Sequence, residues 1–292
     1  MANKAISLNR VTFKYKNSDE FALKNVSLDI NEGDFLLLVG FSGSGKSTLL
    51  KTINGLIPHF YSGTFGGTIS VLGEDIAETN TAQLAQKVGF VFQNPENQLS
   101  NLTVEREIAF PMENFGLPRE EIRNRVEEMI ELFNLEQIRN QSPFAISGGE
   151  QQLTAIAAAF VLDPKILILD EVTAHLSPKI ANIILNKLAE LNTKYNKTII
   201  LSEHRLDRCL KYTKKIAYLE KGMLKVFGNT RDVLLSKNYP EELLPKIPGL
   251  YLRLSKEIDT FKKLTVNYRE QFKESELPLT VTDFIQIIKG DK

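Results

Sequence analysis

A run of eight residues, Gly40-Phe41-Ser42-Gly43-Ser44-Gly45-Lys46-Ser47, constrains this chain more than any other feature. It fits the pattern G-x-x-x-x-G-K-[ST], follows the apolar segment Phe35 to Val39, and precedes a helix-forming stretch from Ser47 to Asn54. Strand, glycine-rich turn and helix in that order make a phosphate-binding loop. The glycines let successive backbone N–H groups turn onto phosphate oxygens, and the helix amino terminus adds a favourable dipole. Lys46 neutralises β- and γ-phosphate oxygens, the Ser47 hydroxyl is a ligand for Mg²⁺, and Thr48 extends the cradle towards the α-phosphate. The expected ligand is a nucleoside triphosphate with Mg²⁺.

Such a loop needs a sheet behind it. Val88 to Phe92, Ile166 to Leu169 and Thr198 to Leu201 are as short and apolar as Phe35 to Val39, as strands covered on both faces must be. Helical spacing of apolar residues marks Arg119 to Leu132, Glu150 to Leu162 and Lys179 to Lys194. The alternation predicts a doubly wound α/β domain. Ile6 to Tyr15, Val26 to Ile30 and Phe65 to Leu72 carry partial period-two alternation and predict a second sheet with one exposed face.

Two segments interrupt the pattern. Residues 97–151 read as an inserted helical subdomain. After a strand pair near Ile216 to Leu219 and Leu224 to Phe227, a Pro-punctuated extension occupies residues 230–292, leaving residues 1–229 as the main domain. In the extension Leu254, Ile258, Phe261 and Leu264 recur at helical spacing, and Thr282 is the expected cap of a last helix carrying Phe284, Ile285 and Ile288.

The apolar run Ile166-Leu167-Ile168-Leu169 ends in Asp170-Glu171. A buried strand delivers Asp170 beside the phosphate loop, where it can hold Mg²⁺ through a water, and Glu171 is then the candidate base for an attacking water. Read alone, the pair is equally a solvated turn; downstream of a phosphate loop it points to hydrolysis. Ser147-Gly148-Gly149 opens a helix and forms a second anion site, although Ser147 alone would also serve as a simple cap.

Composition narrows the field. Lys plus Arg number 36 and Asp plus Glu 36, so no net field draws in nucleic acid or anionic lipid. Cys209 is the single cysteine, which excludes an internal disulfide and a Cys-based zinc site. The first residues lack the continuous apolar region of a secretory signal, and no apolar run approaches the roughly 18 residues that cross a bilayer. Work at a membrane would therefore need another subunit. His59 and His175 lack partners at metal-ligand spacing and are given no role.

Ile146-Ser147-Gly148-Gly149-Glu150-Gln151-Gln152, taken with the phosphate loop and the acidic pair, closely resembles the signature of ABC-type ATPases over roughly residues 3 to 230. The resemblance implies a P-loop NTPase (RecA-like) core with an antiparallel β subdomain, and ATP sandwiched between the phosphate loop of one subunit and the Ser147-Gly148-Gly149 surface of another. It also implies that Tyr15 stacks on adenine, that Gln93 senses Mg²⁺ and γ-phosphate, and that His204 contacts γ-phosphate. Gln93-Asn94-Pro95-Glu96-Asn97-Gln98, the Ile57-Pro58 to Gly73 segment and Leu277-Pro278-Leu279-Thr280-Val281 resemble the ATPase subunits of energy-coupling factor importers of vitamins and transition-metal ions. Expected partners are then a second ATPase, a membrane coupling protein and a substrate-binding membrane subunit. The chain would sit peripherally on the cytoplasmic face of the membrane, with the extension assisting ATPase pairing.

Four departures from the family pattern stand out. Val172 replaces the usual Pro, Ser177 replaces an Asp, and Leu153 replaces an Arg; Glu150 also stands where Gln is commoner. They favour a heterodimer with unequal sites over a homodimer. Competing readings are a soluble ABC ATPase acting on DNA or ribosomes, and a regulatory subunit that mainly binds nucleotide.

Overall fold

The computed structural model describes residues 3–204, 206–250, 252 and 277–289. Five strands carry the framework of the main sheet: β3 (Phe35–Val39), β6 (Val88–Val91), β7 (Ile166–Asp170), β8 (Thr198–Ser202) and β9 (Lys215–Glu220). Together with the hairpin partner β10 (Met223–Asn229) they form a six-stranded sheet in the order β10-β9-β3-β8-β7-β6. All pairings are parallel except β9 with β10.

Burial explains the apolar runs. Phe35, Leu37 and Val39 enter one core with Leu167, Leu169, Ile199 and Leu201. The residues between them, Leu36 and Leu38, enter a second core with Ile166, Ile168 and Ile200 on the opposite face. Neither face of these strands can be polar, because each burial is worth about 1.5–3 kcal/mol per large aliphatic side chain.

The second core is closed by α1 (Lys46–Ile53) and an antiparallel sheet of order β2-β1-β4-β5, made from β1 (Lys4–Tyr15), β2 (Leu23–Asn31), β4 (Gly63–Val71) and β5 (Glu74–Asp75). His59 at the turn before β4 places Nε2 2.7 Å from Ile76 O, which gives this histidine a structural role. Helix α2 (Thr81–Lys87), capped reciprocally by Asn80 and Gln83, leads into β6.

The first core is covered by α3 (Val104–Asn114), α4 (Arg119–Phe133), α5 (Gly148–Phe160) and α6 (Pro178–Lys194). Thr103 caps α3, Ser147 caps α5 and Ser177 caps α6, so three short polar residues set three helix starts. Glu107 on α3 is buried, and its Oε2 accepts Ser100 N–H at 2.9 Å, Asn101 N–H at 2.7 Å and Asn101 Nδ2 at 3.1 Å.

Beyond β10, α7 (Thr230–Leu235) packs on the hairpin, and the last described element is α8 (Val281–Lys289). Leu277 is fully buried in the first core, and Arg231 Nε donates to its carbonyl at 3.0 Å. The cap of α8 is Thr280, not Thr282. Thr280 Oγ1 accepts Asp283 N–H at 3.1 Å while Asp283 Oδ2 accepts the N–H groups of Leu279 and Thr280. Asp283 rewards an earlier start, because its carboxylate lies one turn past Thr280 and reaches back to free donors. The stripe Leu254, Ile258, Phe261 and Leu264 lies outside the described residues.

Candidate active site

The carboxyl ends of four adjacent strands, β3, β8, β7 and β6, carry the loops that build the site. After β3 the chain turns at Gly40, where an added Cβ would lie 2.3 Å from Leu219 O and 2.5 Å from Ser44 Oγ. Gly45, at φ +103°, begins α1 and would bring a Cβ within 2.5 Å of Ala22 O. Glycine is therefore required at both places by space, and at the second by conformation as well. Phe41 and Ser42 are exposed, a Cβ at Gly43 would meet open space, and Ser47 is half-buried at the helix start.

Inside the turn, Ser44 Oγ is buried without a hydrogen-bond partner among the described residues. Lys46 is only 5% exposed and directs Nζ to Gly40 O at 3.0 Å and Phe41 O at 3.4 Å. An orphaned hydroxyl and a buried ammonium held by main-chain carbonyls need an anionic ligand to complete them. Phosphates fit that need.

Strand β7 brings Asp170 to the same end, where Oδ1 accepts Ser202 Oγ at 2.5 Å. Ser202 lies opposite Asp170 in the β7–β8 register, and its hydroxyl and carbonyl both accept Glu171 N–H, at 3.1 and 3.0 Å. Glu171 takes φ +52°, a region L-residues seldom occupy, and the double acceptor on β8 holds it there.

That backbone turn presents the Glu171 side chain to three partners. Oε1 lies 2.7 Å from His204 Nε2 and 3.6 Å from Lys46 Nζ, and Oε2 accepts Gln93 Nε2 at 2.9 Å. Glu171, His204, Lys46 and Gln93, spread over four loops in the sequence, thus meet around one carboxylate. With its nitrogen spent on Glu171, Gln93 keeps its carbonyl oxygen for a cation. Ser47, Asp170 and Gln93 offer hydroxyl, carboxylate and amide oxygens, a hard donor set that suits Mg²⁺ completed by phosphate and water. No cluster of three or more His, Cys, Asp or Glu that could cage a metal occurs among the described residues.

Tyr15 sits at the edge of this group, its hydroxyl 3.1 Å from Thr48 Oγ1 and its ring edge-on to Phe13 and Tyr61. Ser147-Gly148-Gly149 belongs to a different neighbourhood. Ser147 and Glu150 form a capping box in which Glu150 Oε2 accepts the Ser147 N–H at 2.8 Å and its hydroxyl at 2.6 Å. A Cβ on Gly149 would lie 2.5 Å from Ile180 Cγ2, so glycine is what lets α5 approach α6. No hydrogen bond or ion pair among the described residues joins this helix start to the Lys46 cluster. Ser177 caps α6 through Ile180 N–H, a task that Asp would perform equally. Leu153 packs against the first core, and His175 is exposed.

Sequence reasoning did not single out Ser202, the residue that ties Asp170 to Glu171. Its signal was present: a hydroxyl at the polar end of an apolar strand, two residues before His204.

A profile of the ABC transporter family matches residues 23–174, from β2 through the acidic loop. This chain belongs to the ABC transporter family. A Pyrococcus horikoshii protein named as an ABC transporter ATP-binding protein is 40% identical over 243 residues, which cover 83% of this chain and 86% of the relative. A Caldanaerobacter subterraneus protein of the same description is 34% identical over 99% of this chain, which spans 49% of that relative. Among solved structures, CbiO1 from Clostridium perfringens, titled as part of the ABC transporter complex CbiONQ, has a TM-score of 0.73 at 28% identity and covers 89% of this chain and 99% of its own. An ATP-binding cassette solved as a dimer in a post-hydrolysis state with ADP and Pi has a TM-score of 0.67 at 32% identity, over 77% and 98%. The ABC chain described here is accordingly an ABC-type ATPase, a class that works in pairs with membrane subunits. No helix among its described residues is long and apolar enough to cross a membrane.

Proposed function

We propose that this ABC ATPase energises a membrane importer of the energy-coupling factor type, one that takes up a vitamin or a transition-metal ion. The likeness to CbiO1 carries the reading, since it extends over 89% of the chain, further than the 77% shared with the post-hydrolysis cassette. A groove of about 450 Å³ supports it from another side. Phe92, Phe110, Pro111 and Phe115 line this groove next to Gln93, where an apolar helix of a membrane subunit would be in touch with the nucleotide site. The chain would lie peripherally on the cytoplasmic face, with residues 1–229 as the ATPase domain and 230–292 as an extension assisting pairing.

In hydrolysis Lys46 and the backbone donors of Gly40 to Thr48 hold the phosphates, and Tyr15 supports the adenine. The partner's Ser-Gly-Gly helix start faces the γ-phosphate, as this chain's Ser147-Gly148-Gly149 faces the partner's nucleotide. Glu171 orients the attacking water and takes its proton, while His204 and Gln93 hold that carboxylate in place and read the γ-phosphate. Ser47, Asp170 and Gln93 would hold Mg²⁺, which when bound neutralises charge on the transferred phosphoryl group. Ser177 and Leu153 favour a non-identical ATPase as partner.

Two measurements test the proposal. Glu171→Gln is expected to bind MgATP normally and to lose at least about 100-fold in turnover, the scale of general-base catalysis; near-normal turnover would remove Glu171 from its role. Native mass spectrometry of the protein extracted from its own membranes in mild detergent is expected to show a second, different ATPase and small hydrophobic subunits. Recovery only as a soluble homodimer would leave the ATPase in place and refute the importer.

A further inference from the structure

Glu203, between Ser202 and His204, is a carboxylic acid only 1% exposed, and the chemistry described so far makes no use of it. Its Oε1 accepts the N–H of Thr173 at 2.8 Å, and its Oε2 has no hydrogen-bond partner among the described residues. Burial raises its carboxyl above the ordinary carboxylate range; hydrogen bonding from Thr173 opposes the rise, and the charge of nearby Glu171 adds to it. Keeping an acid in such a place is costly. A threonine or an apolar residue would be cheaper there if packing were all that mattered.

Thr173 is itself 1% exposed and lies two residues after Glu171, on the loop that runs to Ser177 at the start of α6. The loop is tight: Ala174 N–H returns to Glu171 O at 3.1 Å, and Leu176 N–H to Thr173 O at 3.3 Å. At its far end Leu176 reaches Gly148, where an added Cβ would touch its Cδ2 at 4.0 Å. One buried side chain therefore fastens the middle of a loop that has Glu171 at one end and the start of α6 at the other. The same residue is bonded in sequence to His204, whose ring holds Glu171 Oε1.

We propose that Glu203 is a positioning residue for ATP hydrolysis: by clamping the Thr173 backbone to the strand end that presents His204, it fixes the Glu171 carboxylate against His204. Among the described residues Glu203 bonds to Thr173 and not to Lys46 or the phosphate loop, so it acts on turnover and not on nucleotide binding.

The test uses the full chain, purified with its partner subunits, and compares wild type with Glu203→Ala, Glu203→Asp and Glu203→Gln. Steady-state MgATP hydrolysis gives kcat and KM, and a fluorescent ATP analogue gives affinity without turnover. Glu203→Ala is expected to lower kcat at least about tenfold with KM and affinity within about threefold, a split that a general loss of structure would not produce. Glu203→Gln keeps an oxygen acceptor at full reach and is expected to restore kcat to within about threefold of wild type. Glu203→Asp, one methylene shorter, withdraws the acceptor and is expected to behave as Ala; it decides the matter should the Ala variant fail to fold. Wild-type kcat in Glu203→Asp, or Gln as defective as Ala, overturns the proposal. So does a fall in affinity that accounts for the whole loss.

Discussion

Glu107 offers the sharpest stability prediction. Its Oε2 receives three donors from Ser100 and Asn101, and the side chain is buried on α3 beneath the segment that links Gln93 to the helical lobe. Glu107→Ala leaves two backbone N–H groups facing a small void. A buried donor left unpaired costs about 1–3 kcal/mol, and because Ser100 is exposed and Asn101 half-buried, water reaches these donors and the expected loss is about 2 kcal/mol. Glu107→Gln keeps one acceptor oxygen but loses its charge, and should cost about 1 kcal/mol. The chain has no tryptophan and eight tyrosines, so urea unfolding is best followed by far-ultraviolet circular dichroism alongside tyrosine fluorescence. Hydrogen exchange of peptides spanning residues 98–107 would locate the effect. A midpoint for Glu107→Ala within about 0.5 kcal/mol of wild type at equal slope would refute the reasoning, because the donors would then have found other partners.

Two further outcomes are expected. Ser202→Ala removes the hydroxyl between Asp170 Oδ1 and Glu171 N–H, and should weaken Mg²⁺-dependent ATP binding about tenfold, with little change in binding measured in excess chelator; equal weakening in both conditions would place Ser202 outside metal positioning. Cys209 is fully buried, and burial pushes its thiol well above the ordinary range, so a thiol reagent at neutral pH should label it only on unfolding, and labelling of the native chain as fast as of the denatured one would contradict its placement.

Much of this architecture was legible because buried parallel strands leave a simple trace. Phe35 to Val39 and Ile166 to Leu169 have no polar residue to spare, and the loops after them carry chemistry that little else explains. Helix starts were harder. Thr282 and Thr280 are both acceptable caps by residue type, and only Asp283, bonding back to Leu279 and Thr280, decides between them. The convergence of Gln93, His204 and Lys46 on the Glu171 carboxylate is a tertiary fact: local spacing announces the loops, and the strand order β3-β8-β7-β6 brings them together. Ser202 and Glu203 escaped notice for the same reason, since their partners lie 30 or more residues away in the chain.

The place of β8 between the phosphate-loop strand and the Asp170 strand has a further consequence. A slip of one residue in its pairing would set Leu201 or Glu203 opposite Asp170 in place of Ser202, and would invert the whole strand between its two cores. The alignment that reaches the right proton donor is also the one that keeps oil on both sides of the strand. Selection for folding and selection for turnover therefore press on the same five residues in the same direction. Substitutions that merely loosen β8, such as trimming Ile199 or Ile200, should be felt first as poorly timed catalysis and only later as loss of the protein.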